Sequence, residues 1–391
     1  GFVIEDLMTI ELPALGQTGS ATARTNVSLD PMLRMSEFNF SLTSGVGTFL
    51  ADGTVQGDSV MDVRVDAGGG EAQFNFRLEE APVFAAALPI RIAAGEGLEV
   101  GSEISVPVFD PSTLSTRTVE VRILEHDTLS IPDSAAWDPE TGRWEPARYD
   151  SVPAWRVAEA YGGVEVESWI DDDGRVLEAS SALGFTMIRT EYELARQALA
   201  DAEGRPPVFD DDVIFATAVQ SNVDLGDIAD HSELRFVLSG VDLEGFDLDG
   251  GRQELRGDTL TIRRENWNTL EAGYNLPYKR MDLAEALQPE PLIQSDDPRI
   301  IDKAKEFTAW RTSWEHDPKT VTRQLTRSVH GLLEKEITFS VPSAIQVLES
   351  GQGDCNEHTV LYVAMARALG LPARTAVGLV YVNGAFFYHA W

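Results

Sequence analysis

Alternating hydrophobic and polar positions run through most of the first 270 residues and predict short β-strands. Two such strands, residues 164–170 and 175–179, flank the acidic turn at residues 171–174 and predict a hairpin. Helical composition interrupts the strands over residues 191–202, and the strand pattern returns between residues 212 and 267. We therefore predict an acidic β-rich region over residues 1–205 and a second β-rich module over residues 206–275. Other strands are predicted at residues 37–42, 60–66, 72–78, 118–124, 213–219, 234–238 and 259–263.

The pattern changes after residue 275. Residues 276–295 contain several prolines and little periodicity, which predicts an extended linker. Apolar residues then recur at intervals of three and four, which predicts amphipathic helices at residues 299–314 and 319–335 and a short helix at 343–349. The third part of the chain, residues 296–391, is thus predicted to be mainly helical at its start. Together these patterns predict an α+β protein.

Charge separates the same parts of the chain. The formal net charge is −33, of which residues 1–270 carry −30 and residues 271–391 only −3. So negative a surface repels phosphate backbones and anionic lipids, so we expect neither nucleic acid nor a membrane surface as a partner. We also expect no membrane span, because no apolar run approaches 18 residues.

The sequence contains one cysteine, Cys355, which excludes an intramolecular disulfide and a multi-cysteine metal cage. We expect no bound cofactor or metal. A lone cysteine leaves the compartment open, and an extracytoplasmic location (periplasmic or secreted) is slightly favoured over the cytoplasm. The chain begins at Gly1 and stops at Trp391 within a predicted strand, so we expect a fragment at both ends.

The cysteine lies where a helix is predicted to begin. Asp354 and Glu357 stand three residues apart before an apolar run, which is the capping-box pattern and makes Cys355 the first helical residue. Free backbone N–H groups and the helix dipole favour a thiolate at this position. The predicted helix ends at Gly370, which suits a left-handed cap.

A hairpin is predicted directly after this helix. Residues 375–382 form its first strand, Asn383-Gly384 is a strong turn signal, and residues 385–391 return. Alternation places His389 on one face with Phe387 and Trp391. A strand packed beside the helix start can hold this imidazole against Cys355, and a cysteine with a histidine base suits acyl transfer through a thioester.

Three motifs in this stretch resemble the catalytic core of the transglutaminase-like superfamily. They are Gly353-Asp-Cys355, the helix end Ala366-Arg-Ala-Leu-Gly-Leu-Pro-Ala-Arg374, and Tyr388-His-Ala-Trp391 after the hairpin. The resemblance covers about residues 296–391 and implies a papain-like fold, in which a helix-borne cysteine packs on antiparallel strands. It implies Cys355 as nucleophile and His389 as base. The family's third member, an aspartate on the following strand, has no match before Trp391, so the core is expected to be incomplete.

Other residues have alternative interpretations. His358 lies one helical turn from Cys355 and competes with His389 as base, or supports the site from behind. Cys355, His358 and His389 are also an alternative set of three zinc ligands. Gln352 is a candidate to polarise the substrate carbonyl, against a solvent-facing loop residue. Asp354 is expected chiefly to cap the helix, and Arg374 and Tyr388 are candidates for supporting contacts. Acidic clusters at residues 171–173, 210–212 and 242–249 are interpreted as solvated turns rather than calcium sites.

Two functions remain open. In the first, the Cys355 thiolate attacks an amide of a protein or peptide, and water resolves the thioester (a peptidase or amidase). Hydrolysis is favoured over cross-linking by an amine, because bacterial-looking members of the superfamily more often resemble proteases. In the second, the core is a catalytically inactive scaffold whose acidic β-modules bind a cationic or protein partner.

Overall fold

The computed structural model describes most of the chain, and every statement below concerns that part. The described residues are 1–14, 17–57, 59–68, 70–95, 98–161, 164–181, 186–202, 218–240, 243–308, 317–336, 338 and 340–391.

The first six strands form one antiparallel sheet in which each strand pairs with the next along the chain. Alternation buries one face: Phe38 and Val63 point inward on either side of Gly53, and a Cβ atom at Gly53 would lie 2.1 Å from the Phe38 ring. Glycine at this position therefore gives the Phe38 ring its place in the core. The strands are β1 (Phe2–Ala14), β2 (Gln17–Leu29), β3 (Met35–Ser44), β4 (Thr48–Gln56), β5 (Val60–Asp66) and β6 (Glu71–Arg77).

A seven-stranded sheet follows in the order β13-β12-β11-β10-β9-β8-β7, with only the β7–β8 pair parallel. Its inner face shares one hydrophobic core with the first sheet, to which it contributes Val108, Val121 and Ile170. Its elements are β7 (Val83–Phe84), a 3-10 turn (Ala85–Ala87), α1 (Leu88–Ala93), β8 (Glu103–Asp110), β9 (Ser115–Asp138), β10 (Arg143–Tyr161), β11 (Val164–Asp171), β12 (Val176–Ser181) and β13 (Thr186–Ile188).

The predicted hairpin around residues 171–174 is confirmed by the pairing of β11 with β12. The Asp171 carboxylate accepts the N–H groups of Asp173 at 3.0 Å and Arg175 at 2.8 Å, so it closes the turn. The helix predicted at residues 191–202 is confirmed as α2 (Tyr192–Ala202), which lies against β10.

A small three-stranded sheet, ordered β15-β17-β16, comes next. It confirms the strands predicted at residues 234–238 and 259–263. Several predicted features lie outside the described residues. They are most of the strand predicted at 213–219, the module boundary at 205/206, the acidic cluster at 210–212 and Asp242. The elements of this part of the chain are β14 (Val219–Gln220), a 3-10 turn (Ile228–Asp230), β15 (Glu233–Val237), β16 (Gln253–Arg256) and β17 (Thr259–Arg263), and β14 is not a strand of this small sheet.

The C-terminal region contains four helices and a hairpin in its described residues. The first three helices begin at side-chain caps, Asp297, Asp317 and Ser343, two of which are followed by proline as the first helical residue. The three predicted helices are confirmed, although the first ends at Phe307 and residues 309–314 of its predicted range lie outside the described part. The elements are a 3-10 turn (Glu285–Leu287), α3 (Pro298–Phe307), α4 (Pro318–Leu332), α5 (Ala344–Ser350), α6 (Cys355–Ala368), β18 (Val377–Val382) and β19 (Ala385–Ala390).

Residues 276–295, expected as an extended linker, pack along the end of α6. Leu276 and Ile293 are buried in the core formed by the C-terminal helices. The Tyr278 N–H donates to the Gly370 carbonyl at 2.9 Å, and the guanidinium of Arg367 donates to the Gln288 carbonyl at 2.6 Å. The apolar residues of this segment therefore pack over the C-terminal end of α6, and the segment is not a solvent-exposed linker.

Helix α5 is held by two turns of the first sheet. Gln346 donates from its amide to the Thr48 carbonyl at 2.7 Å, and the Ser343 hydroxyl donates to the Ala67 carbonyl. A Cβ atom at Gly47 or Gly68 would lie 2.9 or 2.7 Å from the Gln346 side chain, so both turns approach α5 closely. The N-terminal sheet thus fixes the helix that precedes Cys355. No helix in the described ranges has the length and apolar character needed to cross a membrane.

Glu159 on β10 gives a stability prediction. Its side chain is buried beside the core, opposite Val121, and burial raises its pKa from 4.5 to about 7. The folded protein therefore binds a proton that the unfolded chain releases, and stability should fall as pH rises from about 4.5 to 7. In denaturant unfolding at pH 8, Glu159→Gln should be more stable than the wild type by up to about 3 kcal/mol, with little difference at pH 4.

Glu145→Gln on the same strand is the control, because Glu145 is exposed. An equal pH dependence of unfolding in wild type and Glu159→Gln would show that Glu159 is not the group responsible.

Candidate active site

Helix α6 begins at Cys355, as the capping pattern predicts. The Asp354 carboxylate accepts the Asn356 N–H at 3.0 Å, and the Glu357 carboxylate accepts the Asp354 N–H at 3.0 Å. Both halves of the capping box are therefore formed. Cys355 is half-buried at the first helical position.

Glu357 does more than complete this cap. Its carboxylate also accepts the hydroxyls of Thr338 at 2.6 Å and Ser340 at 2.8 Å, and its side chain is fully buried. A Cβ atom at Gly353 would lie 2.2 Å from the Glu357 side chain. The chain segment that leads into Cys355 thus packs around a buried acidic side chain. The sequence predicts this residue only as part of the helix cap.

The second wall of the site is the predicted hairpin of β18 and β19, which turns at Asn383-Gly384 with positive φ at both residues. His389 lies opposite Gly378 in the register, and its ring stacks on that of Trp391 at a centroid distance of 6.3 Å. A Cβ atom at Gly378 would lie 2.8 Å from the Trp391 indole. Glycine at 378 therefore leaves room for the ring against which the imidazole rests.

Cys355 and His389 line the same cleft, whose volume is about 660 Å³. The cysteine enters it from the start of α6 and the histidine from β19. The cleft is lined by Thr326, Val329, His330, Lys335, Glu336, Asp354, Cys355, His358, Thr359, Tyr362, His389, Ala390 and Trp391.

The expectation of a stabilised thiolate is not met. Burial raises the pKa of the Cys355 thiol above its usual value, and the nearby carboxyl groups of Asp354 and Glu357 raise it further. The backbone N–H of Ala390, next to His389, acts in the opposite direction. Burial and the two acids therefore oppose ionisation of the thiol, and a base beside the sulfur would assist its deprotonation.

Asp354 is the titratable neighbour of this thiol. Burial raises the pKa of its carboxyl group to about 7, and the hydrogen bond to Glu357 and the charge of that residue add to the effect. Above neutral pH, Asp354 therefore places a negative charge beside Cys355 and opposes thiolate formation.

The structure separates the remaining candidates. His358 lines the cleft, and its Nδ1 lies 2.6 Å from the Asp354 carbonyl oxygen, to which it donates. Its buried Nε2 has no hydrogen-bond partner among the described residues. Gln352, Arg374 and Tyr388 are not part of the cleft lining: Gln352 lies in the loop beside Glu334, and the other two are exposed.

Residues 297–391 match the family model of the transglutaminase-like superfamily. The C-terminal region is transglutaminase-like. This confirms the resemblance seen in the sequence, and it supports a cysteine-dependent enzyme in general. The match leaves out the β-rich residues before 297.

Solved structures are similar to parts of the chain. A "Putative Cysteine Protease" from Cytophaga hutchinsonii is 22% identical with a TM-score of 0.27, over 34% of this chain and 46% of its own. A DUF1849 domain protein from Brucella abortus is 13% identical with a TM-score of 0.33, over 47% of this chain and 77% of its own. The chain thus spans less than half the length of the Cytophaga protein. No curated protein sequence matches the chain.

Three zinc ligands, Cys355, His358 and His389, are the alternative interpretation of the cleft in the transglutaminase-like region. In the described ranges, no three or more histidine, cysteine, aspartate or glutamate side chains are grouped as ligands for a metal ion. Cys355, His358 and His389 share the cleft but do not form such a set.

Sequence reasoning missed one wall of the cleft in the transglutaminase-like region. Thr326, Val329 and His330 of α4 face α6 across it. On α6 itself, Thr359 and Tyr362 stand four and seven residues after Cys355, so helical periodicity counted from the cysteine would have found them. The wall from α4 carries no such signal, because only packing decides which helix lies opposite.

Removing the Asp354 charge should make Cys355 more reactive. We predict that Asp354→Asn lowers the pKa of the thiol and speeds its alkylation by iodoacetamide at pH 8 by up to about tenfold. Asparagine is also a good N-cap, so the helix start should persist.

The measurement is the alkylation rate from pH 6 to 10. Asp297→Asn, at the cap of α3, is the matched control and should leave the rate unchanged. A slower reaction in Asp354→Asn would contradict the electrostatic role given to this carboxylate.

Proposed function

We propose that the protein is a cysteine-dependent acyl-transfer enzyme acting on protein or peptide amides, with Cys355 as nucleophile and His389 as base. The observation that carries the proposal is that both side chains line one cleft, from two separately built elements. The match of residues 297–391 to the transglutaminase-like superfamily supports it.

The proposed reaction begins with the removal of the thiol proton. His389 takes the thiol proton as the sulfur attacks the amide carbonyl, and a carbon–sulfur bond forms. The carbon–nitrogen bond then breaks, and the imidazolium returns its proton to the leaving amine. Water or a second amine, deprotonated by the same imidazole, resolves the thioester and restores the thiol.

Negative charge on the carbonyl oxygen needs donors. The backbone N–H of Cys355 lies in the first turn of α6, where helix N–H groups have no partner within the helix. It is our candidate for the oxyanion donor. Gln352, the candidate from the sequence, would have to turn towards the cleft to assist.

Hydrolysis is our preferred outcome. The cleft beside Cys355 is bordered by Val329, Tyr362, Ala390 and Trp391. These walls suit an apolar side chain on the acyl side better than the amide of a glutamine. A peptidase or amidase with an apolar preference is therefore proposed ahead of a cross-linking enzyme.

The two histidines of the cleft can be told apart by substitution. On a peptidyl amide substrate, His389→Ala should lower kcat by about 10²–10⁴, the usual contribution of a general base. His358→Gln should lower it by less than about tenfold, because an amide can replace the donation to the Asp354 carbonyl. The measurement is steady-state kinetics, with Cys355→Ala as the inactive reference. The reverse order of effects would assign the base to His358.

The fate of the thioester distinguishes hydrolysis from cross-linking. With peptidyl amides of apolar residues, we expect free acid as the main product, and millimolar primary amine should divert less than half of it. Mass spectrometry of the products measures the ratio. A product that is mostly the transamidated peptide, or a strict requirement for glutamine, would favour cross-linking.

The inactive scaffold remains a second candidate, favoured by the raised pKa of the Cys355 thiol. In that case the acidic β-modules would bind a cationic protein partner, and Cys355→Ala would leave this binding unchanged. Absence of turnover by the wild type on peptidyl amides, together with partner binding, would support it.

A further inference from the structure

The hairpin that carries His389 is attached to a distant part of the chain. β14 pairs with the turn end of β19, where Val219 lies opposite Phe386 and Gln220 opposite Ala385. The Ser221 N–H also donates to the Gly384 carbonyl at 2.9 Å. β19 is therefore the central strand of a three-stranded sheet, ordered β14-β19-β18, whose third strand comes from residues 219–220.

Aromatic side chains of this module and the hairpin pack together. Phe236 of β15 meets Phe386 edge to face, with ring centroids 5.5 Å apart and planes at 88°. Phe386 in turn contacts Tyr381 of β18 at 5.3 Å. The Tyr381 hydroxyl accepts the Leu225 N–H at 3.1 Å. We call residues 218–240 and 243–263 the supporting module.

These contacts lie on the side of β19 away from the cleft. Phe386 and His389 are three residues apart on one strand, so their side chains project from opposite faces. The supporting module contributes no residue to the cleft lining. Any effect it has on the reaction must therefore pass through the strand.

We propose that the supporting module positions His389 against Cys355, with Phe236 as the principal positioning residue. This inference rests on the proposed function. A two-stranded hairpin is only marginally stable alone, and the contact of β19 with α6 that bears on the sulfur is the approach of the Ala390 N–H to Cys355. The third strand and the aromatic contact supply the remaining restraint.

The consequence is specific to catalysis. A displacement of about 1 Å between base and nucleophile can cost about 10²-fold in rate. The cleft walls come from α4, α6 and the chain around His389, and the supporting module contributes no lining residue, so substrate binding should be spared. Loss of the Phe236 contact should thus lower kcat and leave KM unchanged.

The test compares Phe236→Ala with Val237→Ala in the full chain. Val237 is the next residue on β15 and is exposed, so it is a matched control for disturbance of the strand. We expect Phe236→Ala to lower kcat by about 10–100-fold at unchanged KM, and Phe236→Leu to recover most of it. Val237→Ala should resemble the wild type. Wild-type kcat in Phe236→Ala would overturn the proposal.

Two further readouts separate this inference from the proposed function. The first is the pH profile of Cys355 alkylation, which should differ between wild type and His389→Ala if the pair interacts, and Phe236→Ala should then resemble His389→Ala. The second is the imidazole NMR signal of His389, identified by its loss in His389→Ala. A shift of this signal in Phe236→Ala but not in Val237→Ala supports positioning even if no amide is turned over. An unmoved signal overturns it, whatever the enzyme does.

Should Phe236→Ala fail to fold, Tyr381→Phe replaces it, since it keeps the ring against Phe386 and removes the acceptor of the Leu225 N–H. The same two readouts then decide.

Discussion

The carboxylate of Glu357 is the interaction on which the start of the nucleophile helix depends. It lies fully buried and accepts hydrogen bonds from two hydroxyls of the preceding segment and from the backbone N–H of Asp354. Removing one hydrogen-bond partner from a buried polar group costs about 1–3 kcal/mol. One carboxylate therefore ties the entering chain, the turn at Gly353 and the first turn of α6 into a single unit, and Cys355 stands on that unit.

The two reacting side chains have separate supports. The cysteine side rests on α5, which the turns of the first sheet hold through Gln346 and Ser343. The histidine side rests on a hairpin that β14 extends and that Phe236 of β15 packs against. The turns of the first sheet and the strands β14 and β15 all precede residue 297, where the match to the superfamily begins. The geometry of the cleft is thus a property of the whole described chain.

Local signals were sufficient for the elements that bear the candidate residues. The capping box, the Asn383-Gly384 turn and the period of three and four in α4 each have a physical cause that acts within a few residues. The strands of the first sheet were readable for the same reason, since one buried face forces alternation. His389 could be placed on a face, and Cys355 at a helix start, before any contact was known.

Long-range contacts were not readable in this way. The direction of the Cys355 pKa depends first on how deeply the folded chain buries the thiol, and helix position alone predicted the opposite. Prolines suggested that residues 276–295 were a spacer, although their apolar side chains cover α6. The α4 wall of the cleft was missed because amphipathicity shows that a face is buried without showing against what.

The core of the C-terminal helices has a practical consequence for anyone who wishes to isolate them. It includes Val46, Leu276 and Ile293, which all precede the first residue matched by the family model. A recombinant fragment that begins at residue 297 would lack these side chains, and the apolar surface that they cover would be exposed to water. Such a fragment is expected to aggregate or to be degraded. A lack of activity in the fragment would therefore not show that the intact protein is inactive.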